Sequence, residues 1–332
     1  VIHVSVYLHG LGHSHPTTEI TNQFLEGLDI GTTDAWITER VGIRSRRTVL
    51  ALDYIRHTKN SDPRASVEAR TCDQAELGAQ AAKLAIERAG LKTENIGMVI
   101  AGSSAPDFVT PAEACVIAAR LGIEAPAFDI SSACTSFFVP LHLLSMMDPS
   151  RAPEFVLIVV PETLTCTVDY RDRSAAVLWG DAAAAAVVST RVPGRAEILG
   201  TTLGSNPSAF DKVTVPRQGF FRQEGQAVQK FAIKRMSSMV QALKAEHRVP
   251  GRLLSFIGHQ ANLRMLTSVA DACDIPTARH FHNVCDFGNT AAAGSVSVMS
   301  GRWDAWNSED DIAVAGVGAG LTWSSYLLRF AR

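Results

Sequence analysis

No run of apolar residues in this chain reaches the roughly 18–20 needed to span a bilayer, so no membrane helix is expected. Net charge is equally scarce. Thirty-one Lys and Arg against 33 Asp and Glu leave a formal −2, which supplies no bulk basic field for nucleic acid or for an acidic membrane. Walker-type and Rossmann-type glycine fingerprints are missing, which removes the common phosphate and dinucleotide readings. Cysteine is sparse: the six, at positions 72, 115, 134, 166, 273 and 285, lack the regular spacing of a disulfide framework. A reducing cytoplasm suits them. The opening stretch Val1–Leu8 lacks a basic leader and is interrupted by His9-Gly10, so it reads as a strand rather than a signal peptide. What is present is 332 residues, 46% apolar and 19% charged, enough for one large core or two of ordinary size.

Short apolar runs alternate with helical stretches along the whole chain. Ile96–Ala101, Phe155–Val160 and Asp311–Val317 are strand-like, and an alanine-rich helix over roughly Asp73–Ala89, ended by Gly90, precedes the first. This alternation predicts an α/β fold with buried sheets. A weak duplication adds detail. Pro126–Ile130 leads into Ser131–Ser136 and an apolar helix, while Val284–Phe287 leads into Gly288–Gly294 and another. Each half closes on a glycine turn, at Trp179-Gly180-Asp181 and at Gly316–Gly320. The predicted units are residues 1–190 and 191–332, with a hinge near Arg191–Gly194. The polar, basic, proline-punctuated stretch between 52 and 64 reads as a long surface loop.

Three residues at strand-to-helix junctions carry chemistry. Cys134 sits among small residues at a helix start, where free N–H groups and the helix dipole favour a thiolate. Its alternative is a small inert core residue, the reading that holds for the other five cysteines. His259 follows an apolar strand end and leans into a cleft, or is a backbone-satisfied histidine. Asn289 lies in the second glycine turn, at the position matching Cys134, as a donor to substrate or as a helix N-cap. Taken together they fall where a two-fold duplication converges. His280, His282 and Cys285 look metal-like, but their alternation fits a strand and no second ligand pair follows, so no metal is expected.

The chain resembles the β-ketoacyl-acyl-carrier-protein synthase III family. The resemblance rests on Asp129–Cys134, Gly258–Arg264, Phe287–Thr290 and Gly318–Trp323, with Trp36–Arg44 and Gly180–Val188 in support, and runs nearly end to end. It implies a thiolase fold, a duplicated five-layered α-β-α-β-α arrangement, assembled as a homodimer. It further implies an acyltransferase in which Cys134 takes an acyl group from coenzyme A. A malonyl thioester on acyl carrier protein (malonyl-ACP) then loses carbon dioxide, with His259 and Asn289 donating to the enolate, and the carbanion attacks the acyl-enzyme. Coenzyme A is here a substrate thioester and no resident cofactor is expected. The resemblance assigns the oxyanion hole to the Cys134 N–H with the turn Gly318, Ala319 and Gly320. It assigns coenzyme A binding to Trp36, Arg40, Arg173 and Asn262, and carrier-protein contact to Lys230 and Arg264.

Departures from the family pattern sharpen these expectations. Cys134 is followed by Thr135-Ser136-Phe137-Phe138 rather than by an early glycine. Thr110, before Pro111, stands where short-chain members place a bulky aromatic donated to the partner's primer pocket, so a longer acyl chain is expected unless Phe137 or Phe138 fills the space. Val269–Asp274 is not basic, which weakens the usual carrier-protein patch. Such features resemble specialised branches that build rings from oxoacyl chains. Two other readings remain: acyl transfer to a hydroxyl or amine without condensation, and a non-catalytic ketosynthase partner, whose mark would be loss of the nucleophile. A degradative thiolase would need a second cysteine near the closing glycine turn, and there is none.

Overall fold

Phe155–Val160 and Ala182–Val188 are apolar at every position, the pattern of strands covered on both faces, and both become interior strands. In the computed structural model, which describes residues 4–217 and 219–331, the first half of the chain runs β1 (Val6–Ser14), α1 (Asp34–Val41), α2 (Leu52–Thr58), α3 (Pro63–Ala69), α4 (Gln74–Arg88), β2 (Ile96–Ala101), α5 (Glu113–Leu121), β3 (Ala127–Asp129), α6 (Phe138–Leu144), β4 (Phe155–Glu162) and β5 (Ala182–Ser189). The second half runs β6 (Ala196–Ser205), α7 (Gly225–His247), β7 (Leu253–Gly258), α8 (Leu263–Ala272), α9 (Ala293–Gly301), β8 (Asp310–Gly318) and β9 (Thr322–Phe330). Shorter turns and two small two-stranded ladders lie between these elements.

The nine strands form one sheet in the order β7-β8-β9-β6-β1-β5-β4-β2-β3. Its two wings repeat each other. β2 is parallel to β3 and β4, β5 is antiparallel to β4, and β1 completes the wing. Likewise β7 is parallel to β8, β9 is antiparallel to β8, and β6 completes the second. Where β3 pairs with β2, a single parallel bridge from His280 to Phe256 pairs with β7. The expected strand at His280–His282 is thus reduced to one bridge. Within the sheet, among the described residues, the wings join through Val6–Leu8 of β1 against Ala196–Ile198 of β6.

Alternating side chains divide the core. Val156, Ile158 and Val160 face an inner cluster with Phe137, Phe138, Val296 and Tyr326, while Leu157 and Val159 face the outer one with Leu77 and Ala81. The inner layer interlocks the halves: α6 of the first half packs on β6 and β9, and α9 of the second packs on β1 and β5. Outside, α4 covers β1 and β5, and α7 covers β8 and β9. Two helix layers outside and one between the wings make the five-layered arrangement. The α4 contact requires glycine, since a Cβ at Gly12 would stand 1.9 Å from the Ala81 carbonyl oxygen.

Three sequence expectations change here. The interruption at His9-Gly10 does not stop β1, which absorbs His9 as a bulge and continues to Ser14; Val1–His3 lie outside the described residues. The expected loop between 52 and 64 contains α2 and the start of α3. Asp62 caps α3 by accepting from Arg64 N–H at 2.9 Å, Pro63 takes the first helical position, and buried Asn60 ties the turn to the Cys166 and Val168 carbonyls. The polar surface of two short helices had the composition of a loop. The expected hinge at Arg191–Gly194 is a pinned turn: Ser189 Oγ accepts from the Arg191 and Val192 N–H groups, and a Cβ at Gly194 would stand 2.4 Å from the Leu8 carbonyl oxygen.

Candidate active site

Every junction that points toward the seam between the wings ends in a turn, and the turns hold one another. Beyond β3, Ala133 adopts a left-handed φ of +47° and Cys134 sits in a single 3₁₀ turn, Ala133–Thr135. Thr135 Oγ1 meets Thr322 Oγ1 at 2.8 Å, and Thr322 Oγ1 donates to the Ala319 carbonyl at 3.2 Å, which fastens this turn to the closing turn of the second half. Gly318 is needed for that approach: a Cβ there would come within 3.1 Å of the Cys134 nitrogen.

The resting Cys134 is a thiol, not the thiolate that a helix start would favour. Burial pushes its pKa well above the ordinary value, the Glu162 carboxyl adds to the rise, and a bond from its own backbone N–H opposes it. The helical field is weak at this place because α6 starts only at Phe138.

His259 follows β7, with its N–H donated to the Ala315 carbonyl at 2.9 Å and only 7% of its surface exposed. Burial lowers its pKa to about 4, opposed by a hydrogen bond from the ring to the Ala291 backbone. A neutral imidazole carries one N–H and one bare ring nitrogen.

Asn289 is not a helix cap, because α9 begins at Ala293. Its backbone is held by Leu178 and Gly180 at 2.8 and 3.0 Å, and its Oδ1 accepts from the Ala291 N–H at 3.0 Å. This bond identifies which end of the amide is oxygen and leaves Nδ2 as the donor for a ligand. Ala291 also has a left-handed φ, +46°, so it is the counterpart of Ala133. By that register Ala292, and not Asn289, is the counterpart of Cys134. Hydrophobic pattern alone does not resolve a three-residue slip inside a turn.

Cys134, His259 and Asn289 line one cavity of about 440 Å³, together with Gly318, Ala319, Trp36, Arg40 and Asn262. Gly320 does not line it. At the outer end Trp36 carries the Arg173 guanidinium 4.9 Å and the Arg40 guanidinium 6.0 Å from its ring centroid, and Arg173 also donates to the Gly31 carbonyl at 2.5 Å. Asn262 caps α8, with Oδ1 accepting from Met265 N–H at 2.8 Å. Lys230 and Arg264 are exposed on α7 and α8, outside the cavity.

The expected primer-pocket residues lie elsewhere. Phe137 and Phe138 are 2% exposed in the inner cluster, with Phe138 tilted against Tyr326 at 5.4 Å, and neither lines the cavity. Thr110 is exposed beside Phe108 and Val109, likewise outside the cavity of its own chain. Instead a lobe of about 90 Å³ opens next to Cys134, walled by Leu164, Trp179, Val215 and Phe221. The last two come from the strap between β6 and α7, and Phe221 meets Trp179 edge-on at 4.6 Å. No motif or period marks these residues in the sequence. Among the described residues no group of three or more His, Cys, Asp or Glu is placed to hold a metal, and no helix is long and apolar enough to cross a membrane.

Comparison with known proteins places this geometry. Residues 128–207 match the family described as 3-oxoacyl-[acyl-carrier-protein (ACP)] synthase III, and residues 244–330 match its C-terminal part. The chain is 32% identical to the beta-ketoacyl-[acyl-carrier-protein] synthase III of Chlamydia caviae, over 95% of this chain and 93% of that protein. The crystal structure of 3-oxoacyl-[acyl-carrier-protein] synthase III from Aquifex aeolicus superposes with a TM-score of 0.86 at 30% identity, covering 98% of this chain and 100% of that one. The priming beta-ketosynthase of the R1128 polyketide pathway superposes with a TM-score of 0.82 at 27% identity, covering 99% and 97%.

Proposed function

The chain belongs to the 3-oxoacyl-[acyl-carrier-protein] synthase III family, and from that premise we infer that it primes acyl-chain synthesis by decarboxylative condensation, with Cys134 as nucleophile. The observation that carries the reading is the convergence of Cys134, His259 and Asn289 on one cavity, with the Asn289 amide nitrogen left as a donor.

The chemistry follows from the protonation states. A neutral thiol needs a base, and a neutral His259 offers a bare ring nitrogen. His259 takes the Cys134 proton as sulfur adds to the acyl-coenzyme A carbonyl. The Cys134 N–H and the turn at Gly318–Ala319 face the oxygen as it gains charge, and the coenzyme A thiolate departs. The ring then carries two N–H groups. Burial disfavours that cation in the empty cavity, and the incoming malonyl carboxylate supplies its counter-charge. Loss of carbon dioxide leaves the electron pair on the thioester enolate, whose oxygen accepts from His259 and from Asn289 Nδ2. The enolate carbon attacks the acyl carbonyl, the 3-oxoacyl thioester leaves, and the Cys134 sulfur takes its proton back from His259.

Trp36, Arg40, Arg173 and Asn262 suit the coenzyme A end of this route by stacking and charge, and no resident cofactor takes part. Exposed Lys230 and Arg264 offer charge to an acidic carrier protein. Edge strand β3, bearing Phe128 at 40% exposure, suits pairing with a second copy, and exposed Phe108 and Val109 add apolar surface to the same half; this supports a homodimer. Six free cysteines agree with a cytoplasmic setting. Residues 1–190 and 191–332 are then the two thiolase-like halves, interlocked rather than hinged.

Intact-protein mass spectrometry with a panel of acyl-coenzyme A thioesters tests the nucleophile. The unmodified protein should gain one acyl mass and Cys134→Ala none. An adduct persisting on Cys134→Ala removes the assignment.

A further inference from the structure

Among the described residues Arg46 is the bulkiest side chain that is fully buried, and the chemistry derived above makes no use of it. Its guanidinium forks between two segments. Nη1 donates to Asn22 Oδ1 at 2.7 Å and Nη2 to the Val177 carbonyl at 2.6 Å, while Nε has no partner among the described residues. Both acceptors are neutral, and burial pushes the Arg46 pKa down to about 9, so holding the cation there costs free energy. A planar fork that reaches two segments at once is what arginine offers and lysine or a hydrocarbon does not.

Each arm of the fork ends at a different part of the cavity. On one side Asn22, itself fully buried, passes the link to α1: its Nδ2 donates to Asp34 Oδ1 at 2.7 Å, to the Ile43 carbonyl at 2.8 Å and to Thr38 Oγ1 at 3.4 Å. Trp36 and Arg40, which line the cavity, stand on that helix. On the other side Val177 leads into Leu178 and Trp179, and all three line the cavity. The Leu178 carbonyl accepts from the Asn289 N–H at 2.8 Å, and the Asn289 carbonyl accepts from the Gly180 N–H at 3.0 Å. The Arg46 stem is wedged behind this bridge, since a Cβ at Gly180 would stand 3.2 Å from Arg46 Cβ and one at Gly288 would stand 2.8 Å from Arg46 Cγ.

We propose that Arg46 is a positioning residue that ties α1 to the bridge between Leu178 and Asn289, so that a thioester held by Trp36 and Arg40 arrives in register with the Asn289 amide. The inference rests on the condensing reading of the site. Trp36 and Arg40 stand on a helix of the first half and Asn289 on a turn of the second, and one buried side chain reaches toward both. Loss of the fork leaves each end folded but lets α1 shift against the seam. Such a shift weakens coenzyme A binding and misplaces the thioester oxygen. The Cys134 sulfur and the His259 ring share no hydrogen bond with Arg46 and keep their own surroundings.

Two substitutions separate this role from mere filling of the core. Arg46→Lys keeps the charge without the fork, and Arg46→Met keeps much of the stem with neither bond. In both, the KM for acyl-coenzyme A and the Kd for free coenzyme A should rise at least about fivefold, with the saturated rate of Cys134 acylation within about threefold of wild type, as expected for two coupled sites. Carbon dioxide release from malonyl-ACP should fall at least about tenfold, the effect of a small misplacement of reacting groups. Asn22→Ala breaks the same link from its other end, so the double variant Arg46→Lys with Asn22→Ala should bind coenzyme A no more weakly than the worse single variant. A merely structural arginine would lower the denaturation midpoint and leave KM and Kd, read per folded protein, where they were. Wild-type KM and Kd in Arg46→Lys therefore overturn the proposal, and so does an additive double variant. Should methionine fail to fold, the lysine variant and its cycle with Asn22→Ala still decide. The unmodified protein is the control on the premise: if it neither binds coenzyme A nor gains an acyl mass, the condensing reading has failed, whereas if it does both and the Arg46 variants match it, only the present inference has.

Discussion

The two seam turns start from the same backbone and end in opposite chemistry. Each follows its wing's outermost parallel pairing and bends through an alanine of left-handed φ, Ala133 at +47° and Ala291 at +46°. In the first, the next residue is Cys134, which lines the cavity beside the glycine-lined turn of β8. In the second, the next residue is Ala292, whose N–H is consumed by Glu162, and the functional groups are displaced to Asn289 and to the His259 ring. A duplicated scaffold therefore delivers one reactive turn and one holding turn. What differs is where the polar groups go: the Ala292 N–H is held by Glu162, whereas the Cys134 residue lines the cavity.

The largest effect that tests this contrast is on the half-reactions. Asn289→Ala should lower carbon dioxide release by about 10²–10³-fold, the usual cost of one oxyanion donor, while Cys134 still acquires an acyl mass. If both half-reactions fall equally, the turns are one unit and the division made here is wrong.

A second comparison sets the inner core against the cavity wall. Phe138→Ala should cost about 3–5 kcal/mol of stability in chemical denaturation, as buried aromatic truncations do, and leave primer choice unchanged. Phe221→Ala, at the wall of the small lobe, should cost far less and shift acylation toward longer primers, each added buried methylene contributing about 0.8 kcal/mol. Competition between acetyl- and octanoyl-coenzyme A, read as acyl-enzyme mass, distinguishes the two sites.

The smallest effect concerns pH. His259 has its pKa lowered from 6.5 to about 4 by burial, so the unfolded chain takes a proton between those values that the folded chain does not. Its contribution to stability is complete above about 6.5 and is lost as pH falls toward 4, by at most about 1.4 kcal/mol per pH unit. His259→Gln should flatten the denaturation midpoint against pH in that window alone. A variant with the wild-type slope would place the titration on another buried group.

Local chemistry carried most of the reading. The alanine-rich helix and its cap at Asp73, the every-position-apolar strands, and the three reactive residues at junctions are all visible as pattern, because burial on two faces and helical spacing leave periodic marks. Features that depend on a second segment leave no such mark. Phe137 and Phe138 were expected near the primer because they follow the nucleophile, yet a helical turn points them into the inner cluster. Leu164, Val215 and Phe221 wall the small lobe beside Cys134 although they are distant in sequence from it. The 52–64 segment read as a loop since only Ile55 and Asn60 in it turn fully inward.

By itself, then, the amino-acid order determined the α/β alternation and a weak duplication, and it set Cys134, His259 and Asn289 at strand-to-helix junctions, since each follows from residue type and short-range spacing; their roles came from the family resemblance. Only the tertiary structure decided that burial pushes the Cys134 thiol up, that Asn289 presents its nitrogen, that the turns register at Ala133 and Ala291, and that Glu162 accepts from the Ala292 N–H. Protonation, amide orientation and hydrogen-bond satisfaction are set by what surrounds a group in three dimensions, and here those surroundings come from both wings at once.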